Sequence, residues 1–82
     1  MNQTHEPPSA DAWQAFVARS DGALDGVVTA TVPFGVFVRF EEGVGGLLPT
    51  AELTAQLSTG DHVTVRVLQF DADKRRVSLQ QI

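Results

Sequence analysis

An aromatic ring and a cation lie two residues apart in the segment PFGVFVRF, residues 33–40. Side chains of a β-strand alternate between two faces, so in a strand Phe37 and Arg39 would share one face while the opposite face is wholly apolar. An exposed ring can stack on a nucleobase, and a neighbouring guanidinium can meet the adjoining phosphate. The alternative is a core role for Phe37 beneath a loop or helix, which the alternation alone does not exclude.

Short runs rich in Val, Thr and Phe, separated by Gly, Pro and Asp, supply the elements that would position these residues. They predict five strands, at about 24–32, 36–40, 46–48, 62–70 and 76–80, with one helical turn at 50–53. Five such strands are too few for a sandwich, and a small closed or partly closed barrel protects their edges. We therefore expect an all-β barrel. The residues expected in its core are Val36, Val38, Leu47, Val65, Val67, Val77 and Leu79.

A short helix is predicted before the strands, over about 10–19. Ser9 or Asp11 can cap its first turn. Trp13, Phe16 and Val17 fall at positions i, i+3 and i+4, which makes one apolar stripe. We expect this stripe to close one end of the barrel rather than to bind a ligand.

The length of 82 residues predicts a single folded domain, residues 10–82, preceded by a disordered tail over residues 1–9. The sequence contains no cysteine, so a disulfide framework and a thiolate metal site are excluded. With no secretory segment and no apolar run long enough to cross a membrane, we expect a cytoplasmic protein without membrane contact. We also expect a monomer.

The charge balance argues against strong binding to a polyanion. Six Lys and Arg residues stand against ten acidic residues, which gives a net charge of −4, and affinity for phosphate backbones comes largely from cations. The single basic run is Lys74-Arg75-Arg76, at the predicted turn between the last two strands. Three adjacent cations are usually a solvated turn, so their value depends on where the fold places them.

The residues that catalysis or metal binding would need are scattered. His5 and His62 have no neighbouring ligand residues, and no serine lies in a nucleophile-elbow sequence. Asp71 and Asp73 could form a carboxylate pair, but in a polar turn they are expected to cap the backbone. The sequence therefore predicts a protein without enzymatic activity, cofactor or metal.

Glycines, aromatics and valines recur at characteristic spacings along most of the chain. They form Gly26-x-Val28, PFGVFV at 33–38, Gly46-Leu47, Glu52-Leu53, Gly60-Asp61-His62-Val63 and Arg76-Val77-Ser78-Leu79. In these stretches the sequence resembles the S1 RNA-binding domain family, named after ribosomal protein S1. The resemblance covers about residues 13–80, and the lead-in around Trp13 and Phe16 is similar to that of a repeat of the bacterial ribosomal protein.

The resemblance implies a fold and a set of site residues. The fold is a five-stranded OB-fold barrel, which binds single strands on the face of its second and third strands and on the loops beside it. The family's binding positions correspond to Phe34, Phe37, Asp71 and Arg76, with Arg75 possible in place of Arg76. Together with the cations found from the residues themselves, the candidate RNA-binding residues are Phe34, Phe37, Arg39, Asp71, Lys74, Arg75 and Arg76.

The function expected on these grounds is weak, sequence-tolerant binding of single-stranded RNA in translation or RNA metabolism. The alternative is a protein-docking OB module that anchors to a ribosomal or RNA-processing partner. The excess of acidic residues favours this alternative, as does Pro49, which stands where the family commonly has a histidine. A third hypothesis is that the domain belongs to a larger enzyme such as an exonuclease.

Overall fold

The computed structural model describes residues 7–82. Most of the tail predicted to be disordered, residues 1–6, lies outside the described residues. One α-helix, five β-strands and one turn of 3₁₀ helix follow along the chain. They are α1 (Ala10–Ala18), β1 (Leu24–Val32), β2 (Gly35–Arg39), β3 (Gly45–Pro49), η1 (Thr50–Glu52), β4 (His62–Asp71) and β5 (Arg76–Gln81).

The five strands form a closed barrel in the order β1-β2-β3-β5-β4, with β4 pairing back onto β1. All pairs are antiparallel except β3 and β5, which run parallel. Closure pairs every strand on both sides, so the described strands leave no free edge. The predicted fold class, an all-β five-stranded OB-fold barrel with a short N-terminal helix, is confirmed.

The barrel core is built from the apolar side of each strand. Val36 and Val38 of β2 are buried, as the alternation in the sequence predicts, and so are Val65, Val77 and Leu79. Further buried residues are Leu24, Val28, Phe40, Val44, Leu48 and Val63. Gly46 belongs to this core because an added Cβ would lie 2.8 Å from the side chains of both Val77 and Leu79, so the barrel leaves no room there for a larger residue.

Two of the expected core residues are less buried than predicted. Leu47 is half-buried on the outer side of β3, and its neighbour Leu48 fills the core instead. The pairing of Leu48 with Val36 fixes this choice, because cross-strand partners share a face. Val67 is partly buried and packs against the core from its edge.

Helix α1 closes one end of the barrel through two aromatic residues. Phe16 is fully buried, with its ring centroid 4.9 Å from that of Phe40, and Trp13 packs edge-on against Phe70 at 6.1 Å. Val17 does not belong to this contact, since 38% of its surface is exposed; the expected stripe is one residue narrower than predicted. Ser9 caps the helix by accepting a hydrogen bond from the amide of Ala12.

A two-point ion pair fastens the end of α1 to the turn between β2 and β3. The Nε and Nη2 atoms of Arg19 donate to the two carboxylate oxygens of Glu42 at 2.6 and 2.9 Å. These bonds hold the pKa of the Glu42 carboxyl below its usual value and raise that of Arg19.

None of the helices in residues 7–82 is long and apolar enough to span a membrane.

Candidate nucleic-acid interface

The outer face of the barrel carries a row of side chains that crosses four strands at the level of Phe37. Phe37 pairs with Leu47 of β3, Leu47 with Ser78 of β5, and Ser78 with Gln69 of β4. None of these four residues is buried. Because directly paired residues lie on the same face of a sheet, the row forms a continuous platform with the aromatic ring near one end.

Phe34 extends the platform beyond β2. It lies in the turn between β1 and β2, and 57% of its surface is exposed. The rings of Phe34 and Phe37 stand edge to face, with centroids 6.2 Å apart and planes 88° apart. These two rings lie outside the barrel core. In contact with each other and exposed, they offer a surface on which a flat ligand group can stack.

A second row crosses the same face two residues further along the strands. Gly45 pairs with Arg39 on one side and with Arg76 on the other, and Arg76 pairs in turn with Asp71. The two rows are about 7 Å apart, since each residue of a strand advances the chain by about 3.3 Å. The fold therefore sets a charged row beside the aromatic one.

A β-bulge in β4 turns Asp71 toward this face. Val63, Val65 and Val67 point inward, and strict alternation would send Asp71 inward as well. The register shifts between Val67 and Gln69, so Gln69 pairs with Ser78 and Asp71 with Arg76 on the outer side. The one additional residue thus reverses the side of the sheet to which the following side chains of β4 point.

The turn between β4 and β5 holds the remaining basic residues. The amide of Lys74 donates to Oδ1 of Asp71 at 3.2 Å, which closes the turn. Arg75 has a φ of 53°, a left-handed conformation that is uncommon for a residue with a side chain. Its Nη1 donates to the carbonyl oxygen of Pro8 at 2.9 Å, so this guanidinium is tied to the segment before α1.

All seven candidate residues line one broad, open groove. This outer groove runs over the two rows, the β4–β5 turn and Pro7–Pro8. Several of its lining residues are not predicted by the sequence. They are Gly45, Leu47, Gln69 and Ser78. None has a side chain that suggests binding by its type, and the strand register is the signal that places them on the groove.

The groove has the opposite charge from the chain as a whole. Among the described residues, its lining includes four of the six Lys and Arg residues and two carboxylates, those of Asp71 and Asp73. The net charge of the chain is −4. The surface that presents the aromatic rings is therefore locally positive, which favours an anionic ligand with flat groups.

Within residues 7–82, no cluster of three His, Asp or Glu side chains is present that could hold a metal ion.

A closed five-stranded barrel with an aromatic and basic groove over β2 and β3 defines an OB-fold module of the nucleic-acid-binding kind. Residues 18–81 match the S1 RNA binding domain family. The chain belongs to this family, as its motifs predicted.

Several relatives of the chain are bacterial ribosomal proteins. The chain is 39% identical over 80 residues to small ribosomal subunit protein bS1 of Mycolicibacterium smegmatis, a match that covers 84% of the chain and 16% of that protein. Identity to bS1 of Coxiella burnetii is 40% over 88 residues, which covers 96% of the chain and again 16% of the ribosomal protein. The solution structure of GSP13 from Bacillus subtilis gives a TM-score of 0.67 at 34% identity, covering 73% of the chain and 52% of GSP13.

Proposed function

We propose that the outer groove binds single-stranded RNA, weakly and with little sequence preference. The observation that carries this proposal is the single groove lined by Phe34, Phe37, Arg39, Asp71 and the basic turn. An aromatic platform beside a row of cations fits a chain of stacked bases joined by phosphates. Membership of the S1 family points to the same ligand.

The roles of the groove residues follow from their chemistry. Phe34 and Phe37 stack on bases, and each stack contributes roughly 1–3 kcal/mol regardless of the base. Arg39, Lys74 and Arg76 meet phosphates. Asp71 orients Arg76, its cross-strand partner, or accepts a hydrogen bond from a base or a ribose hydroxyl.

Arg75 contributes less to RNA than its neighbours. Its guanidinium already donates to the Pro8 carbonyl and is only partly accessible. Its main role is to hold the segment before α1 against the β4–β5 turn. Its remaining N–H groups make a secondary contact with a phosphate.

The biological setting that we propose is translation or RNA metabolism in the cytoplasm of a bacterial cell. This setting is supported by the sequence identity of the chain to bacterial bS1 proteins, of whose length the chain covers 16%. Within that setting the barrel acts as a monomeric binding module without catalysis or cofactor. It either contacts RNA on the ribosome or brings RNA to a processing protein.

A titration of fluorescently labelled oligouridine, followed by anisotropy at low and moderate salt, tests this function. Because few cations are available to release counterions, we expect a shallow dependence of affinity on salt, and affinity so modest that binding is lost by moderate salt. A labelled double-stranded RNA is the matched control, since its bases are not free to stack on Phe34 and Phe37. Equal affinity for both RNAs would contradict the stacking role.

A protein-docking function is the second candidate. It is favoured by the acidic balance of the chain and by Pro49, which pairs with Gly35 at the end of β3 beside the exposed Phe34. Phe34 and Phe37 would then be interface anchors. Absence of RNA binding at low salt in the same titration, by a folded protein, would give this candidate the lead.

A further inference from the structure

We propose that Gly45 forms the floor of a notch that seats one backbone phosphate between the guanidinium groups of Arg39 and Arg76. The proposal rests on the RNA-binding function proposed above and adds a specific phosphate position to it. It assigns a binding role to a residue without a side chain.

The notch arises from the strand register. Gly45 of β3 is the direct partner of Arg39 in β2 and of Arg76 in β5. Adjacent strands lie about 4.8 Å apart, so the Cα atoms of the two arginines are about 10 Å apart with a glycine between them. A side chain at position 45 would stand in this gap, and glycine leaves it open.

Neither packing nor backbone conformation requires glycine at position 45. The nearest heavy atom to an added Cβ is the carbonyl oxygen of Val38, at 3.9 Å, and φ is not in the left-handed region. Gly46 differs, because its added Cβ would press on Val77 and Leu79 at 2.8 Å. A glycine inside a strand weakens it, and where the fold does not demand one, close approach of a ligand is a physical reason for its presence.

The two arginines have the chemistry to hold a phosphate from both sides. Arg39 and Arg76 are exposed, and within residues 7–82 neither takes part in an ion pair. A guanidinium offers a planar set of donors that matches two oxygens of a phosphate. Phe37 lies two residues from Arg39 on the same strand, so a single nucleotide can place its base on the ring and its phosphate in the notch.

The test is Gly45→Val, which fills the notch without changing any charge. Affinity for labelled oligouridine is measured by anisotropy at several salt concentrations. We expect binding to weaken roughly tenfold, as for a lost charge-assisted contact. We also expect the slope of log K against log salt to flatten by about 0.7, the single-strand value for one phosphate. A flatter slope without loss of a cation is the signature of the notch.

Two further variants keep the result interpretable. Gly22→Val is the matched control, because an added Cβ at Gly22 meets no heavy atom within 4 Å and Gly22 does not line the groove. This variant should bind as the wild type does. Arg76→Ala placed on Gly45→Val should change the slope little further, since both changes remove the same contact. A thermal melt of each variant confirms folding.

The outcomes separate the notch from the function on which it rests. Wild-type affinity and slope in a folded Gly45→Val protein would overturn the notch and leave RNA binding intact. Full additivity of Gly45→Val and Arg76→Ala would also overturn it. If Gly45→Val does not fold, the smaller Gly45→Ala is expected to weaken binding in the same direction, and unchanged binding by it would contradict the proposal. A wild-type protein that binds no RNA would overturn both proposals.

Discussion

At the scale of single residues, stacking and charge are carried by different side chains in adjacent rows. Phe37 lies in the row that crosses the barrel through Leu47, whereas Arg39 and Arg76 lie in the row that crosses it through Gly45. Salt screens the contact of an arginine with a phosphate but has little effect on a ring that stacks on a base. The two contributions can therefore be separated by measuring affinity as a function of salt.

Phe37→Ala should weaken RNA binding while leaving its salt dependence nearly unchanged. The variant loses one stacking surface, worth roughly 1–3 kcal/mol, and no cation. Anisotropy titrations of labelled oligouridine at several salt concentrations measure both quantities. A marked flattening of the slope in Phe37→Ala would contradict this separation of roles.

Arg76→Ala should weaken binding and flatten the slope by about 0.7, because one phosphate contact is lost. Arg75→Ala is the matched comparison on the neighbouring residue. Its effect on the slope should be smaller, since the Arg75 guanidinium already donates to the Pro8 carbonyl. The assignment of the two arginines would be wrong if Arg75→Ala produced the larger change.

At the scale of elements, the segment around α1 supports the hairpin that carries half of the groove. Trp13 packs edge-on against Phe70, the residue before Asp71 in β4, which lines the groove. Arg75 in the following turn donates to Pro8, just before the helix. The helix therefore closes the barrel, and together with the segment before it also contacts the β4–β5 hairpin.

Trp13→Ala should lower the free energy of unfolding by roughly 3–5 kcal/mol, because it removes a large buried ring. For a domain of this size, each kcal/mol corresponds to about 4–8 °C in the melting temperature. Val17→Ala on the same helix is the control, and its exposed side chain should contribute little. An unchanged melting temperature in Trp13→Ala would show that the helix is only an appendage.

The ion pair between Arg19 and Glu42 predicts a pH-dependent part of the stability. The folded state lowers the pKa of Glu42, so the pair stabilises the fold above the unfolded carboxyl value of about 4.3 and loses this contribution as the pH falls through the lower, folded value. Urea denaturation of the wild type and Glu42→Gln should therefore differ at neutral pH and converge in acid. A difference independent of pH would contradict the ion-pair origin.

The sequence predicts the positions of the strands well, but predicts less well which of their side chains point into the core. Alternation of Val36 and Val38 placed Phe37 and Arg39 outside, as the structure shows. In β3, two adjacent leucines fit either facing, and only the pairing of Leu48 with Val36 decides between them. Local alternation carries no information on such a pairing, since it is a contact between distant parts of the chain.

The bulge in β4 is the second feature that alternation could not supply. Continuing the pattern of Val63, Val65 and Val67 would bury Asp71, which the family resemblance nevertheless placed in the site. The bulge at Leu68 resolves the conflict by reversing the facing of the last residues of the strand. The contact between Arg75 and Pro8 was equally hidden, because it joins residues 67 positions apart.

At the scale of the whole molecule, the fold converts an acidic chain into one with a positive binding face. The net charge is −4, yet the described lining of the groove brings four cations together with three aromatic rings. Closure of the barrel brings β3 beside β5, and this parallel pair joins the aromatic end of the groove to the basic turn. Affinity should consequently be modest and its salt dependence shallow, because only a few cations contact phosphates of the RNA.

RNA binding by the outer groove can be tested by an NMR titration of the ¹⁵N-labelled protein with oligouridine at low salt. We expect the amide signals of Gly35–Arg39 and of residues 71–78 to shift together, while those on the exposed side of α1 move little. If RNA leaves every amide in both segments unshifted while the protein remains folded, the outer groove is not an RNA site, and the protein-docking function takes its place.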